Sequence, residues 1–289
     1  MRIQAYTLNS FAKTEEGGNP AGVVLHADSL SEETMRKIAA VLGFSETAFV
    51  MQSDAADFKV RFFTPNEEVD LCGHATIAVF HVMSRLNLLN PGRYTQETKA
   101  GLLGVEIQKD HYIMMEQTAP VFSEMIAPCE IADSLRISSS RIPKELPVQV
   151  VSTGLRDIMI PVSSVDILHA ISPNMELVEK LSRKYNTVGY HVFSLEALQD
   201  MGVYCRNFAP LYGIPEEAAT GTSNGALACY LYHCGQINEK QAADLVFCQG
   251  YSMKKPSEIR ASLTVKDHEI CMVKIGGSAM NYSVKELTL

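Results

Sequence analysis

Arg61-Phe62-Phe63-Thr64-Pro65, then Glu67-Glu68-Val69-Asp70-Leu71, then Cys72-Gly73-His74-Ala75-Thr76-Ile77-Ala78-Val79-Phe80 is the stretch on which the reading of the whole chain turns. A β-branched and aromatic run reaches a proline turn, and a glycine then opens a segment whose apolar residues fall at helical spacing. The pattern predicts a strand, a loop and the N-terminus of a helix running to about Leu86. The first turn of a helix offers N–H groups without intrahelical partners and a partial positive charge, and Gly73 lets a ligand come close to the backbone.

A second version of this arrangement lies further along the chain. Arg206-Asn207-Phe208-Ala209-Pro210 is followed by Glu216-Glu217-Ala218-Ala219-Thr220-Gly221-Thr222-Ser223-Asn224-Gly225 and the apolar Ala226-Leu227-Ala228-Cys229-Tyr230-Leu231. The offset is 145 between the arginines (61 to 206) and 148 between the glycines (73 to 221), close to half of 289 residues. This reads as an internal duplication. Two halves related by a pseudo-twofold would point two helix N-termini at a shared cleft, a natural place for a small anionic ligand. The expected halves are residues 1–118, which a C-terminal strand at 280–289 is free to complete, and residues 119–279. Ala119-Pro120 and Ala127-Pro128 mark the crossing.

Bulk properties narrow the function class. The length has room for two domains, each with its own core, and 46% apolar with 20% charged residues describes a folded soluble protein. A net charge of −8, without basic clusters interleaved with aromatics, argues against nucleic acid as a partner. No run of 18 apolar residues and no long apolar segment near Met1 is present, so no membrane association and a cytoplasmic location are expected. Seven cysteines without CxxC spacing read as reduced thiols, and eight scattered histidines show no HExxH or paired Cys/His spacing. Neither a metal nor a cofactor is indicated.

Local signals place the candidate residues. Residues 1–10 alternate as a strand. The loop Glu15-Glu16-Gly17-Gly18-Asn19-Pro20-Ala21-Gly22 before Val23-Val24-Leu25 suits either a plain turn or a segment folded closely around a ligand. Ser31 begins a helix that stops at Gly43. Glu46 is then a lone carboxylate in an apolar run. It is either an exposed strand residue or a partly buried group, its pKa raised so that it can both accept and donate a proton. Asp70, Cys72 and His74 gather at the next helix start, where the dipole favours a neutral His74 and a Cys72 thiolate. The alternatives are a structural cap and a packed thiol.

Taken together, Gly18-Asn19-Pro20-Ala21-Gly22-Val23-Val24, Gly43-Phe44-Ser45-Glu46-Thr47-Ala48-Phe49, Phe63-Thr64-Pro65 with Glu68-Val69-Asp70-Leu71-Cys72-Gly73-His74-Ala75-Thr76, and Thr220-Gly221-Thr222-Ser223-Asn224-Gly225 resemble the phenazine-biosynthesis PhzF-like isomerase family. They occur in family order and span nearly the whole chain. The resemblance implies an α+β, diaminopimelate epimerase-like fold with two similar domains, each a curved sheet around a central helix. It implies a cofactor-independent isomerase in which Glu46 is the acid–base group and His74 contacts a small amino- or hydroxy-carboxylic acid. Asn19, Gly73, Glu217, Gly221 and Thr222 are implied as further substrate contacts, and a homodimer is implied as the assembly. The family's usual second-half motif is Asp-Pro-x-Thr-Gly-Ser. Here Glu217 stands for the Asp and Thr222 for the Ser, changes that keep the chemical type and reshape the pocket.

The epimerase relatives use two cysteines as opposing acid and base. Cys72 occupies the first such position and Thr220 the second, and a threonine hydroxyl without an activating partner is no base near neutral pH, which excludes a two-thiol racemase. Two other readings stand beside the isomerase. One is an epimerase pairing Cys72 with Glu46 or Glu217, and the other is a binding module without turnover.

Overall fold

Residues 2–199 and 202–288 are described by the computed structural model, a mixed α+β chain that divides into two units, Met1–Glu116 with Gly276–Leu289 and Gln117–Ile275. The first unit carries strands β1 (Arg2–Ser10), β2 (Asn19–Val24), β3 (Glu46–Met51), β4 (Phe58–Phe63), β5 (Glu68–Val69), β6 (Gly92–Thr98), β7 (Gly101–Ile107) and β8 (Ile113–Gln117). Helix α1 (Glu32–Leu42) joins β2 to β3, and α2 (Gly73–Arg85) follows β5. The second unit carries β9 (Val121–Ile126), β10 (Val148–Ser152), β11 (Arg156–Pro161), β12 (Gly189–Ser194), β13 (Val203–Ala209), β14 (Ile214–Glu217), β15 (Leu245–Gln249), β16 (Ser257–Lys266) and β17 (Glu269–Gly277). Its helices are α3 (Pro128–Leu135), α4 (Val165–Ala170), α5 (Met175–Lys184), α6 (Gly221–His233) and α7 (Glu239–Ala242). The last strand, β18 (Ala279–Thr288), returns to pair antiparallel with β1.

Pairing repeats between the units. In the first, β1 runs antiparallel to β2, β2 parallel to β3, β3 antiparallel to β4, β4 parallel to β6 and β6 antiparallel to β7. In the second, β10, β11, β12, β13, β15 and β16 follow the same succession of senses. Short strands β5 and β14 add to β4 and β13 at corresponding places, each just before the long helix. The repeated arginines explain why. Arg61 forms a two-pronged ion pair with Glu68 at 2.7 and 2.8 Å, and Arg206 one with Glu216 at 2.8 and 2.8 Å. Their guanidinium carbons stand 5.0 and 4.8 Å from the ring centroids of Phe63 and Phe208. Fork-on-carboxylate pairs of this type fix geometry as well as charge, so each tethers a strand to the loop that launches the helix.

Both helices lie at the centre of their units. Every residue of α2 from His74 to Ser84 is buried, and α2 packs on β1, β2, β3, β7 and β18. A helix enclosed on all sides needs no polar stripe, which is why its sequence is apolar almost throughout. Full burial of a side chain such as Phe80 or Ile77 contributes about 1.5–3 kcal/mol. Along α6, small residues let neighbours approach: a Cβ added to Gly225 would lie 1.9 Å from Oε1 of Gln117.

Some local expectations shift. Ser31 caps α1 by accepting from the Thr34 N–H, and Gly43 ends the helix at φ 70°, as the sequence predicts. The loop expected over residues 15–22 is shorter, because β2 begins at Asn19 and its first four residues pair with Thr7–Ser10.

Candidate active site

In the first unit, three segments converge. The parallel register of β2 and β3 sets Ala21 against Glu46, so the strand starts carrying Asn19 and Glu46 lie side by side, and α2 begins at the same end. Ser10 at the end of β1 donates to the His74 carbonyl at 2.6 Å and fastens the helix start in place. His74 Nε2 then lies 3.1 Å from Glu46 Oε2, its Nδ1 lies 3.2 Å from the Asn19 amide nitrogen, and the Cys72 sulfur lies 3.5 Å from Nδ1 and 3.7 Å from Nε2. Oε2 of Glu46 is buried, has no aligned hydrogen-bond donor and forms an ion pair with His74. The donor atoms of Glu46, Cys72 and His74 all lie within 4.8 Å of one another, the one grouping of this kind among the described residues.

The charges follow from proximity. Burial pushes the Glu46 carboxyl up, but His74, with help from Ser45 and Cys72, more than reverses this, and the net displacement is below the usual carboxylate range. Burial works against charge on His74, and the Cys72 sulfur and Glu46 carboxylate overturn it, leaving the imidazole well above its ordinary value. Burial and the Glu46 charge push the Cys72 thiol up to about 11. Three expectations from the sequence are thereby corrected. His74 is displaced towards its protonated form and Cys72 towards its thiol, and Glu46, expected to be raised if partly buried, is displaced below the ordinary carboxylate value instead.

In the second unit, α6 starts at Gly221 behind Thr220, whose hydroxyl donates to Glu217 Oε2 at 2.8 Å. Gln249 on β15 braces this turn, donating to the Glu217 carbonyl at 2.8 Å and to Thr220 Oγ1 at 3.0 Å. Asn224 donates to Gln249 Oε1 at 2.8 Å and lies 3.2 Å from His191 Nε2. The chain continues from His191 Nδ1 to Asn207 at 3.2 Å, from Asn207 to Ser223 at 3.1 Å, and from the Ser223 hydroxyl to Asp157. Asp157 is buried, its Oδ1 has no hydrogen-bond partner, and burial, aided by the Glu217 charge and opposed by Ser223, raises its carboxyl to about 6. Burial lowers His191 to about 4, which leaves it neutral.

Neither α2 nor α6 has a side-chain N-cap hydrogen bond, whereas α1, α4, α5 and α7 are capped by Ser31, Ser164, Asn174 and Asn238. Of the residues singled out from sequence, Asn19, Glu46, Cys72, Gly73 and His74 meet at the start of α2, and Glu217, Gly221 and Thr222 at the start of α6. Asp70 is not part of the cluster: its exposed carboxylate pairs with Lys99 at 3.2 Å. Asp157, His191, Asn207 and Gln249 escaped the sequence reading. The one signal was an aspartate opening the apolar run Ile158-Met159-Ile160.

Comparison with known proteins gives a consistent result. Residues 8–284 match the phenazine biosynthesis-like protein family, PhzC-PhzF. An uncharacterized isomerase of Clostridium acetobutylicum is 36% identical over 100% of this chain and 99% of its own length. The trans-2,3-dihydro-3-hydroxyanthranilate isomerase of Pseudomonas fluorescens is 26% identical over 95% of each chain. Among solved structures, a Bacillus anthracis phenazine biosynthesis protein of the PhzF family superposes with a TM-score of 0.89, at 30% identity and 100% coverage of both chains. A hydroxyproline epimerase from Agrobacterium vitis shares the fold alone, with a TM-score of 0.64 at 14% identity over 99% of this chain and 91% of that one.

Proposed function

The chain belongs to the phenazine biosynthesis-like family of isomerases, and we propose that its reaction is a proton transfer between carbons of a small carboxylate-bearing substrate, with Glu46 as the acid–base group. The observation that carries this reading is Glu46 Oε2, a buried carboxylate oxygen 3.1 Å from the His74 imidazole and without an aligned donor. Such an oxygen is ionised, poorly solvated and ready to accept a proton.

In this scheme Glu46 takes a proton from a substrate carbon, and the electron pair of the broken C–H bond passes into the adjacent unsaturated system. Negative charge builds there while the carboxyl holds the proton, and the uncapped N–H groups opening α2 suit it. Glu46 then returns the proton to another carbon, the electron pair closes the new C–H bond, and the enzyme is unchanged. His74, kept in place by Ser10 and Asn19, stabilises the carboxylate between turnovers. Glu217, Gly221 and Thr222, at the start of α6, are the further substrate contacts that the family resemblance implies. No cofactor enters the scheme, and a homodimer, implied by the resemblance, belongs to the same proposal.

The substrate class is a cyclic amino- or hydroxy-carboxylic acid of the kind named for the Pseudomonas relative. The test is a panel of such acids, trans-2,3-dihydro-3-hydroxyanthranilate included, incubated with wild type and Glu46→Gln and analysed for isomerised product. Product from wild type alone supports the reading. Equal product from a folded Glu46→Gln protein refutes it. Binding without turnover by either protein points instead to the binding module.

A further inference from the structure

Gln249, the last residue of β15, is fully buried, and both polar atoms of its amide are engaged at the turn that launches α6. Its nitrogen donates to the Glu217 carbonyl at 2.8 Å and to Thr220 Oγ1 at 3.0 Å. Its oxygen accepts from the Thr220 N–H at 3.2 Å and from the Asn224 amide at 2.8 Å. Two of these partners have a fixed polarity. A backbone carbonyl only accepts and a backbone N–H only donates, so a single orientation of the Gln249 amide satisfies both. Its donor then faces Thr220 Oγ1, and the one proton of that hydroxyl is directed at Glu217 Oε2, 2.8 Å away.

The surroundings hold Gln249 itself in place. Asn224 also donates to the Thr220 carbonyl at 2.8 Å, so its oxygen faces His191 Nε2 and the Cys205 thiol, both at 3.2 Å. The next residue, Gly250, stands at φ 80°, and a Cβ there would lie 2.7 Å from the Ala218 carbonyl oxygen, so the end of β15 is seated on the Glu217–Thr220 turn. The first unit has a counterpart that stops short. Gln96 on β6 donates to Thr76 Oγ1 at 3.2 Å, and Thr76 donates to the Cys72 carbonyl at 2.9 Å, as Asn224 does to that of Thr220. Oε1 of Gln96 has no hydrogen-bond partner among the described residues. Helix α2, equally long, thus begins without a glutamine bonded to the turn before it, and what Gln249 adds is its hold on Glu217 and Thr220.

We propose that Gln249 is a positioning residue: it directs the Thr220 hydroxyl onto Oε2 of Glu217 and so presents that carboxylate to substrate in one orientation. Without the amide donor, the Thr220 hydroxyl is free to turn its proton away, and the carboxylate loses a charge-assisted hydrogen bond. Ordering the carboxylate then falls to the substrate, which weakens affinity. No covalent bond is made or broken in this role, and proton transfer by Glu46 is untouched. The consequence for affinity rests on the proposed role of Glu217 as a substrate contact, whereas the positioning does not.

The test is a cycle of Gln249→Met, Thr220→Val and the double variant in the full-length protein, with circular dichroism to verify folding. Gln249→Asn, whose amide is one methylene too short to reach Thr220, takes the place of a Gln249→Met protein that does not fold. The first readout is a ¹³C NMR titration of the Glu217 carboxyl, identified by its loss in Glu217→Gln. The Glu217 midpoint should move to higher pH in Gln249→Met and by a similar amount in Thr220→Val, and no further in the double variant, because both lose the same donated hydrogen bond. Thr220→Ser, which keeps the hydroxyl, should titrate as wild type does. A midpoint unmoved by Gln249→Met, or effects that add in the double variant, overturn the positioning. The second readout is steady-state kinetics on trans-2,3-dihydro-3-hydroxyanthranilate or another acid of the panel that turns over. Gln249→Met should raise KM by about three- to tenfold and leave kcat within about twofold of wild type. A loss confined to kcat would place Gln249 with the proton transfer and overturn the proposal. A shifted midpoint with KM unchanged would leave the positioning standing and remove Glu217 as a substrate contact.

Discussion

The starts of α2 and α6 share a scaffold and differ in charge. Each follows an arginine–glutamate fork on the preceding strand pair, each is a helix of 13 residues enclosed by its sheet, and each lacks a side-chain cap. Around α2 the neighbours are an ionised carboxylate and an imidazolium. Around α6 they are amides and hydroxyls, the Glu217 carboxylate held by the Thr220 hydroxyl, a neutral His191 and an aspartate pushed towards its protonated form. Strand register locates the origin of the difference. Glu46 on β3 pairs with Ala21 on β2, and at the matching position Gly189 on β12 pairs with Asp157 on β11. In the second unit the buried carboxylate of this strand pair is on the neighbouring strand, within a network of hydrogen bonds. The two helix starts thus share a scaffold, while the buried carboxylate of the neighbouring strand pair sits on a different strand in each unit.

The largest contrast should come from removing the glutamate at each start. Glu46→Gln is expected to lower kcat by about 10²–10⁴-fold, the contribution of a positioned base. Glu217→Gln should act mainly by raising KM, by about tenfold, as expected for lost substrate binding. Steady-state kinetics on a substrate from the panel would show this, and the opposite pattern would reverse the assignment of the two halves.

Next in size is the ion pair. His74→Ala leaves a mostly buried carboxylate without its cation and should cost about 3 kcal/mol in urea unfolding. The pH dependence has a definite sign. Glu46 is held below its ordinary 4.5, so its contribution is present above that value and fades as pH falls through the folded value. His74 is raised above 6.5, so its contribution is present below 6.5 and fades as pH rises through the folded value. The stabilisation by the pair is therefore full between 4.5 and 6.5, and in the variant the acid limb of the rate profile should move to higher pH.

Asp157 should behave in the opposite sense. Its carboxyl is raised from 3.8 to about 6, so the unfolded chain gives up this proton first and stability falls as pH rises across that interval. The fall amounts to about 3 kcal/mol. Asp157→Asn removes it, so the variant should gain by that amount relative to wild type between about pH 3 and about pH 8 in denaturant titrations. Parallel curves would show that Asp157 stays ionised. The smallest effect is expected for Cys72→Ala. A thiol raised to about 11 is no base at neutral pH, and turnover should stay within about tenfold of wild type, with wild-type activity resistant to iodoacetamide. A larger loss would revive an epimerase pairing Cys72 with a carboxylate.

The duplication was legible because Arg61 and Arg206, with their aromatic neighbours and the glycines that open α2 and α6, recur at nearly one offset. Glu46 and His74 were legible through the family resemblance, although the bare residue pattern left Glu46 open between a surface position and a buried one. The protonation states were not. The dipole at a helix start argues for a neutral His74 and an ionised Cys72, and both directions reverse because burial and the Glu46 charge raise the thiol, while Cys72 and Glu46, 28 residues from His74 in sequence, outweigh the burial of the imidazole. The network from Asp157 to Gln249 was equally hidden. Its members come from β11, β12, β13, β15 and α6, and nothing in their local sequence marks them as partners.

The most direct test of the account is deuterium uptake at carbon when substrate turns over in D₂O, read by mass spectrometry for wild type beside Glu46→Gln. The account predicts deuterium in recovered substrate or product with wild type and none with the folded variant. Uptake that is equal in both proteins would contradict it, because the proton would then be moved by a group other than Glu46.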